Sequence, residues 1–259
     1  MLSKLYVLLW VMCLAVTAHA ADETVSLATV NLAGEQRMLS QRLAKAYIQV
    51  GLNVVPVVAN EQIKESITRF EGNLERLQSG IAGAGGGALS AYRRLAEDWA
   101  VLRAAAKFPP TRDAALAVSQ NSVAVLERAE QLTQMIALAA AGETGMQVNL
   151  AGRQRMLSQR VVKAYMLYSW GVGAPEVQHE METAAREFSA ALAVLKALSD
   201  NTAEMRVELE EITLQWEWLQ TALAGEGAMS YRLVVAEAAD SILLATDRLT
   251  RMYEQAGGR

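Results

Sequence analysis

The sequence contains few of the residues that build disulfide frameworks, metal centres or catalytic triads. Among 259 residues there are one cysteine, two histidines and four prolines. The cysteine, Cys13, lies in an apolar run near the N-terminus, so a chain cleaved after residue 20 has no disulfide and no thiolate. His179 is then the only histidine; no His/Cys/carboxylate cluster has metal-site spacing, and no nucleophile-elbow pattern indicates a Ser-His-Asp triad. The sequence predicts no metal, no cofactor and no enzymatic activity.

The first 20 residues are typical of a secretory signal peptide. They begin "MLSKLYVLLWVMCLAVTAHA", in which Lys4 gives a short positive region, residues 5–17 are apolar, and Ala18-His19-Ala20 is a small-x-small cleavage site. The residues just before Cys13 are too large for a lipoprotein signal. We expect cleavage near Ala20 and a periplasmic or secreted protein.

After this leader the chain lacks long hydrophobic runs and an excess of positive charge. No later apolar run approaches the roughly 20 residues that a bilayer span needs. Removal of Lys4 with the leader leaves 23 basic against 28 acidic residues. This balance argues against binding to nucleic acid or to an anionic membrane surface.

The chain contains an internal duplication. The segment "NLAGEQRMLSQR" at residues 31–42 recurs as "NLAGRQRMLSQR" at residues 149–160, and 14 of 17 positions match between 31–47 and 149–165. Further apolar positions recur at an offset of 118 residues, and near the ends of the two halves the offset becomes 117. We interpret this as two copies of one structural unit.

Each copy has the pattern of four helices. Alanine, leucine, glutamate and glutamine dominate, alternating β-type patterns are missing, and the breaks coincide with turn signals. The sequence therefore predicts an all-α protein of two tandem up-and-down four-helix bundles, with the first helices beginning near residues 22 and 143. The predicted domains are the signal peptide at 1–20, bundle 1 at 21–142 and bundle 2 at 143–259.

Three details of these bundles are also predicted. Asn201 and Glu204 stand at capping-box spacing before one helix, and Trp99, Trp216 and Trp218 are expected as core anchors of the third helices. The junction around residues 142–145 contains two glycines. It either bends, which folds the bundles back on each other, or continues straight, which stacks them end to end.

The repeated segment has an unusual polar face. On a helix, Leu157 and Val161 point to the core of the bundle, whereas Gly152, Arg155 and Gln159 cluster on the opposite side. The first copy places Gly34, Arg37 and Gln41 in the same way.

A glycine within a helix suggests that another helix or a ligand approaches closely, and a guanidinium group suits a planar oxyanion. Two such helices meeting about a two-fold axis would hold one small trigonal anion between two arginines. The alternative is that these arginines are solvated or paired with acidic residues.

The segment "NLAGRQRMLSQR" resembles the P-box in the periplasmic domains of the NarX/NarQ nitrate and nitrite sensor kinases. It resembles still more the PilJ-type N-terminal domain of chemoreceptors associated with type IV pili. The resemblance implies a four-helix bundle, and in nitrate-binding members an anion on a dimer axis between two first helices. The arginine before the methionine corresponds to Arg37 and Arg155, and the glycine three residues earlier to Gly34 and Gly152. Family domains usually precede a transmembrane helix and a signalling module, and we expect neither in this chain.

From this we expect an exported protein of sensory type that binds nitrate, nitrite or a similar small inorganic anion. The expected ligand-binding residues are Gly34, Arg37, Gln41, Gly152, Arg155 and Gln159. The expected partners are a second copy in a homodimer and a membrane sensor or transporter. The alternative is a ligand-free helical scaffold in an envelope or pilus-linked complex. Glu35 stands where the second copy has Arg153, so we expect somewhat tighter anion binding by the second copy.

Overall fold

The computed structural model describes residues 25–140, 142–224 and 229–258; the predicted signal peptide and the "GEG" turn at 225–227 lie outside the described residues. This part of the chain forms eight α-helices and one short 3-10 turn at Ala82–Ala84, without strands. The first bundle contains α1 (Leu27–Gly51), α2 (Pro56–Gly80), α3 (Gly85–Ala105) and α4 (Arg112–Ala139). The second contains α5 (Glu143–Ser169), α6 (Ala174–Ala197), α7 (Ala203–Ala224) and α8 (Met229–Gly257). The predicted all-α architecture of two bundles is confirmed.

The helix starts follow local capping chemistry. Helix α5 begins at residue 143, as predicted. Helix α1 begins at Leu27, not near residue 22, and Ser26 is its N-cap. The Ser26 hydroxyl accepts a hydrogen bond from the backbone N–H of Thr29 at 3.2 Å, which satisfies one of the unpaired donors of the first turn.

The predicted capping box before α7 is wrong. The cap is Thr202, whose Oγ1 accepts from the backbone N–H of Met205 at 3.2 Å. Asn201 is buried instead. Its amide donates to the Leu195 carbonyl at 2.7 Å and accepts from the Tyr253 hydroxyl at 2.5 Å, so it ties the end of α6 to α8.

The two copies share backbone geometry even where their residues differ. In the loop after the first helix, Asn53 and Val55 have positive φ angles of 57° and 37°, and the equivalent Gly171 and Gly173 have 75° and 61°. Left-handed backbone at the same two positions indicates a duplicated loop, because valine rarely adopts this conformation unless the surrounding structure imposes it.

An aromatic stack anchors each bundle core. Phe70 of α2 stacks on Trp99 of α3 with ring centroids 3.6 Å apart, and Phe188 of α6 stacks on Trp216 of α7 at 4.1 Å. Both tryptophans are buried as predicted, but Trp218 is 52% exposed and is not a core residue. Its position two residues after Trp216 turns it about 160° away from the core face of α7.

The bundles fold back on each other. Gly142 at the junction has a φ of 56°, which ends the helical path between α4 and α5. Helices α1 and α5 then pack side by side through most of their length, with α4 and α8 flanking them. The pair is parallel and in register, because Gly34 lies near Arg155 at one end while Gly51 contacts Trp170 at the other. In the described part of the chain, no helix has the length and apolar character needed to cross a bilayer.

Candidate functional site

The contact between α1 and α5 brings the predicted glycines and arginines to one place. A Cβ built on Gly34 would lie 3.0 Å from Nη2 of Arg37 and 3.8 Å from Nη2 of Arg155. A Cβ on Gly152 would lie 3.1 Å from Nη2 of Arg155 and 3.7 Å from Nη2 of Arg37. Both arginines are buried, at 0% and 1% exposed. The glycines therefore leave the space in which two guanidinium groups from different copies come together.

Each arginine is paired with a carboxylate of the fourth helix in its own bundle. Arg37 Nη1 donates to Glu130 on α4 at 2.6 Å, and Arg155 Nη1 donates to Asp247 on α8 at 2.7 Å. Glu130 and Asp247 are equivalent positions at the offset of 117 residues. The second Nη group of each guanidinium points toward the other bundle.

Each Nη2 group donates a hydrogen bond to an asparagine of the other bundle. Arg155 Nη2 donates to the side-chain oxygen of Asn31 at 2.7 Å, whereas Arg37 Nη2 donates to the backbone carbonyl of Asn149 at 3.3 Å. The Asn149 side-chain oxygen is buried without a hydrogen-bond partner in the described structure. Two equivalent residues thus bind the arginines differently, which makes the centre of the pseudo-symmetric site unequal.

A second pair of arginines flanks the carboxylates. Arg153 donates to Glu130 at 3.2 Å, and Arg251 forms an ion pair with Asp247 at 2.7 Å. Burial alone would raise the pKa of Glu130, but Arg37 and Arg153 together hold it below its ordinary value. The carboxylate thus stays ionised between two guanidinium groups.

Burial also acts on the central arginines. It lowers the pKa of both Arg37 and Arg155 from the ordinary arginine value, although Glu130 and Asp247 oppose this shift. The proximity of Arg155 lowers the pKa of Arg37 further. Two like charges are therefore held close together in a buried interface.

The two predicted glutamines have other partners. Nε2 of Gln41 donates to the Ser122 carbonyl of α4 at 2.8 Å, and Nε2 of Gln159 donates to the Ala239 carbonyl of α8 at 3.0 Å. Each buried amide therefore links the first helix of a bundle to the fourth. These glutamines share a helix face with the arginines, as the sequence predicts, but their side-chain donors bind backbone carbonyls of the fourth helices.

Two buried lysines of this interface were not among the predicted ligand-binding residues. Lys45 forms an ion pair with Asp240 of the other bundle at 2.6 Å, and Lys163 pairs with Glu180 of its own bundle at 2.9 Å. Lys45 and Lys163 are equivalent and both 0% exposed. Their repetition in the duplicated segment could have indicated that both lysines are functional or buried. Their acidic partners could not be predicted from the repeat, because Asp240 lies on α8 and Glu180 on α6, at positions that the duplication does not relate.

The described residues contain few side chains that could bind a metal ion. Within the described ranges, no three His, Cys, Asp or Glu side chains are grouped in a way that could hold a metal ion. His179 lies exposed on α6.

Two successive segments of the chain, residues 25–132 and 136–245, match the family PilJ, "Type IV pili methyl-accepting chemotaxis transducer N-term". The chain belongs to the PilJ family. Each match covers most of one bundle, so this PilJ protein contains two tandem copies of a helical domain of sensory type. No curated protein and no solved structure matches the chain.

Proposed function

We propose that this PilJ protein is an exported sensory-type binding protein that holds one small oxyanion, nitrate or nitrite, between Arg37 and Arg155. The observation that carries the proposal is that Nη2 of both arginines lies within 3.8 Å of the position that a Cβ on Gly34 would occupy, so the two guanidinium groups are neighbours. A trigonal anion bound between the two guanidinium groups would accept a hydrogen bond from each Nη2 in place of Asn31 and Asn149, while the Nη1 groups stay on Glu130 and Asp247.

The charges around this point favour an added anion. Four guanidinium groups, those of Arg37, Arg153, Arg155 and Arg251, surround the carboxylates of Glu130 and Asp247. The inner cluster therefore carries more positive than negative charge, and Glu187 and Glu254 reduce this excess only from outside it. The excess comes from Arg153 and Arg251, whose side chains are 34% and 56% exposed, so it attracts a small anion less strongly than a fully buried charge would.

Grooves lie on both sides of the proposed site. One, between α4 and α5, has a volume of about 550 Å³ and includes Glu130 and Asn149 among its lining residues. The other, between α1 and α8, has a volume of about 300 Å³ and includes Asn31. The two are related by the repeat, and each reaches a partner of one arginine. We propose them as the entry paths of the anion.

The site is proposed to form within one chain, because α1 and α5 supply both arginines. A homodimer is not needed for it, although self-association stays a prediction. We propose periplasmic or secreted localisation after cleavage near Ala20, and a membrane sensor or transporter as the partner that receives the signal.

A ligand-free scaffold is the second candidate, and the ion pairs favour it. Arg37 and Arg155 already have carboxylate partners at 2.6 and 2.7 Å, so the cluster can be explained as a polar seam that holds the two bundles in register. The two candidates differ in whether an added anion stabilises the fold.

Thermal unfolding of the mature protein with nitrate, nitrite, chloride or sulfate at millimolar concentration separates the candidates. An anion at 100 times its dissociation constant stabilises by about 2.7 kcal/mol, a clear shift in Tm. The variants Arg37→Lys and Arg155→Lys keep the charge but lose the planar donor fork, so we expect each to remove most of the nitrate-dependent shift. Arg93→Ala changes an exposed arginine of α3 and serves as the control. No shift with any anion would support the scaffold.

A further inference from the structure

The outer face of the second bundle exposes large apolar side chains. Val207 is 70% exposed, Leu214 67%, Trp218 52% and Leu244 63%. Between α7 and α8 there is a groove of about 420 Å³. Its lining residues are Leu214, Gln215, Trp218, Glu237, Ala238 and Ser241.

Three of these side chains lie on one face of α7, where Glu210 and Glu211 separate Val207 from Leu214 and Trp218. Val207, Leu214 and Trp218 are spaced i, i+7 and i+11 on α7, which places them within about 60° of one another along roughly 16 Å of helix. Leu244 lies one turn from Ser241 on α8, which lines the same groove. Leu214 and Trp218 line the groove itself, whereas Val207 and Leu244 lie outside it. A groove that presents an exposed leucine and an exposed tryptophan can receive apolar side chains from one face of a helix.

The border of this groove is acidic. Glu210 and Glu211 flank Leu214 on α7, although Lys196 and Arg248 partly neutralise them at 3.0 and 3.2 Å. Glu217 on α7 and Glu237 on α8 are exposed and form no ion pair with the described residues. The groove therefore presents apolar contact area bordered by negative charge.

The first bundle provides an internal comparison. At the offset of 117 residues, Leu214 corresponds to Glu97, Trp218 to Val101 and Leu244 to Glu127. The acidic residues Glu210 and Glu211 correspond to Arg93 and Arg94, the opposite charge. The fold does not require an acidic, apolar face at this position, since the same fold is built without one in the first bundle.

We infer that the groove between α7 and α8 is a docking site for a cationic amphipathic helix of a partner protein. Leucine-like side chains of that helix pack on Trp218 and Leu214, and its lysines or arginines face Glu217 and Glu237. A second copy docked face to face would oppose these carboxylates with identical ones, and an anionic membrane surface would be repelled by them. The inference does not depend on the anion site.

Calorimetric titration with a synthetic helical peptide tests the inference. The probe is about 18 residues of leucine and lysine with leucines at i, i+3, i+4 and i+7, and the control peptide has glutamate in place of lysine. We expect the leucine/lysine peptide to bind the mature protein and the leucine/glutamate peptide not to bind. Trp218→Ala should weaken binding at least tenfold, and Val101→Ala on the first bundle should leave it unchanged. Both substitutions are at exposed positions, so the fold is retained.

Three results would overturn the inference. The first is equal peptide binding by the wild-type protein and a Trp218→Ala/Leu214→Glu variant. The second is sedimentation that shows self-association of the wild-type protein but not of Trp218→Ala, which would make a second copy the occupant. The third is binding to phosphatidylglycerol vesicles that Trp218→Ala abolishes, which would make the face a membrane surface.

Discussion

Glu35 and Arg153 occupy equivalent positions in the two copies, carry opposite charges, and are each paired across to the second helix of their own bundle. Glu35 accepts from Arg69 of α2, and Arg153 donates to Glu187 of α6 at 3.0 Å. Arg69 and Glu187 are themselves equivalent, so the same ion pair is present in both bundles with its charges exchanged. Glu35 is therefore neutralised locally. Arg37 and Arg155 meet beside the same glycines. Our proposal therefore has one shared anion site in place of the two sites of unequal affinity that the sequence predicts.

This exchange predicts the outcome of reversing the charges in the first bundle. Glu35→Arg places a positive charge against Arg69 and should destabilise the protein by about 1–2 kcal/mol. Adding Arg69→Glu recreates the arrangement of the second bundle and should recover most of the loss. Urea unfolding of both variants measures this. A single variant as stable as the wild type, or a double variant no better than the single one, would contradict the prediction.

The buried lysines predict a second rescue. Asp240→Val leaves Lys45 without its carboxylate and should lower the free energy of unfolding by about 2–3 kcal/mol. This loss is smaller than the loss expected for a fully buried ion pair, because the Asp240 side chain is 34% exposed. Gln62 already donates to Asp240 at 2.7 Å and is equivalent to Glu180, the partner of Lys163. Gln62→Glu should therefore restore stability in the Asp240→Val background.

A double-mutant cycle tests this point. Gln62→Glu alone sets two carboxylates side by side and should destabilise, so the double variant should be more stable than the sum of the single effects implies. Additive effects would show that Lys45 does not require a nearby carboxylate.

Two glycines predict opposite effects of alanine. A Cβ on Gly51 would overlap the Trp170 ring, with Cζ3 only 2.6 Å away, so Gly51→Ala should cost about 1–3 kcal/mol by forcing the first helices apart. Gly72 in α2 has nothing within 4 Å of such a Cβ, so Gly72→Ala should gain up to about 1 kcal/mol from helix propensity. Differential scanning calorimetry of both variants is the measurement, and a shift in the same direction for both would refute the predicted packing of α1 on α5.

Acid should destabilise the protein by breaking the ion pairs of Glu130 and Glu180. The pKa values of Glu130 and Glu180 are below the ordinary value of 4.5, since nearby cations outweigh the upward effect of burial. Their contribution to stability is complete above pH 4.5 and is lost as the pH falls through the lowered values.

The unfolding free energy measured between pH 6 and 3 should therefore fall most steeply below pH 4.5, and Glu130→Gln should make the curve shallower. Glu97→Gln, on the exposed face of α3, is the control and should leave its slope unchanged. An identical slope for Glu130→Gln and the wild type would count against an ionised Glu130 in the interface.

Much of the fold could be predicted because its signals are local or repeated. Helix periodicity, turn residues and the duplicated "NLAG" segment specify eight helices in two bundles. Each of these three signals depends only on residues that are close in sequence or repeated. The helix starts could not be predicted to the residue, because other polar residues near Ser26 and Thr202 can also cap a helix. The glycine and arginine positions were also accessible, because Gly34 and Arg37 recur as Gly152 and Arg155.

The partners of those arginines could not be predicted in the same way. Glu130 and Asp247 follow their arginines by 93 and 92 residues, and Asn31 meets Arg155 across 124 residues. Nothing in a local pattern selects one acidic residue of a long helix over another. Gln41 and Gln159 share a helical face with the arginines, yet their donors bind neighbouring backbone carbonyls.

The amino-acid sequence alone determined the helices, the duplication and the two arginine-bearing segments, because these depend on side chains within a few turns of one another. The tertiary structure alone decided that the chain reverses at Gly142, that α1 lies parallel to α5, and that Arg37 and Arg155 meet beside two glycines. A junction of a few residues can support either stacked or folded-back bundles, and the choice depends on the packing free energy of two long helical faces. That energy is a sum over contacts between residues more than 100 positions apart, which the linear pattern does not encode.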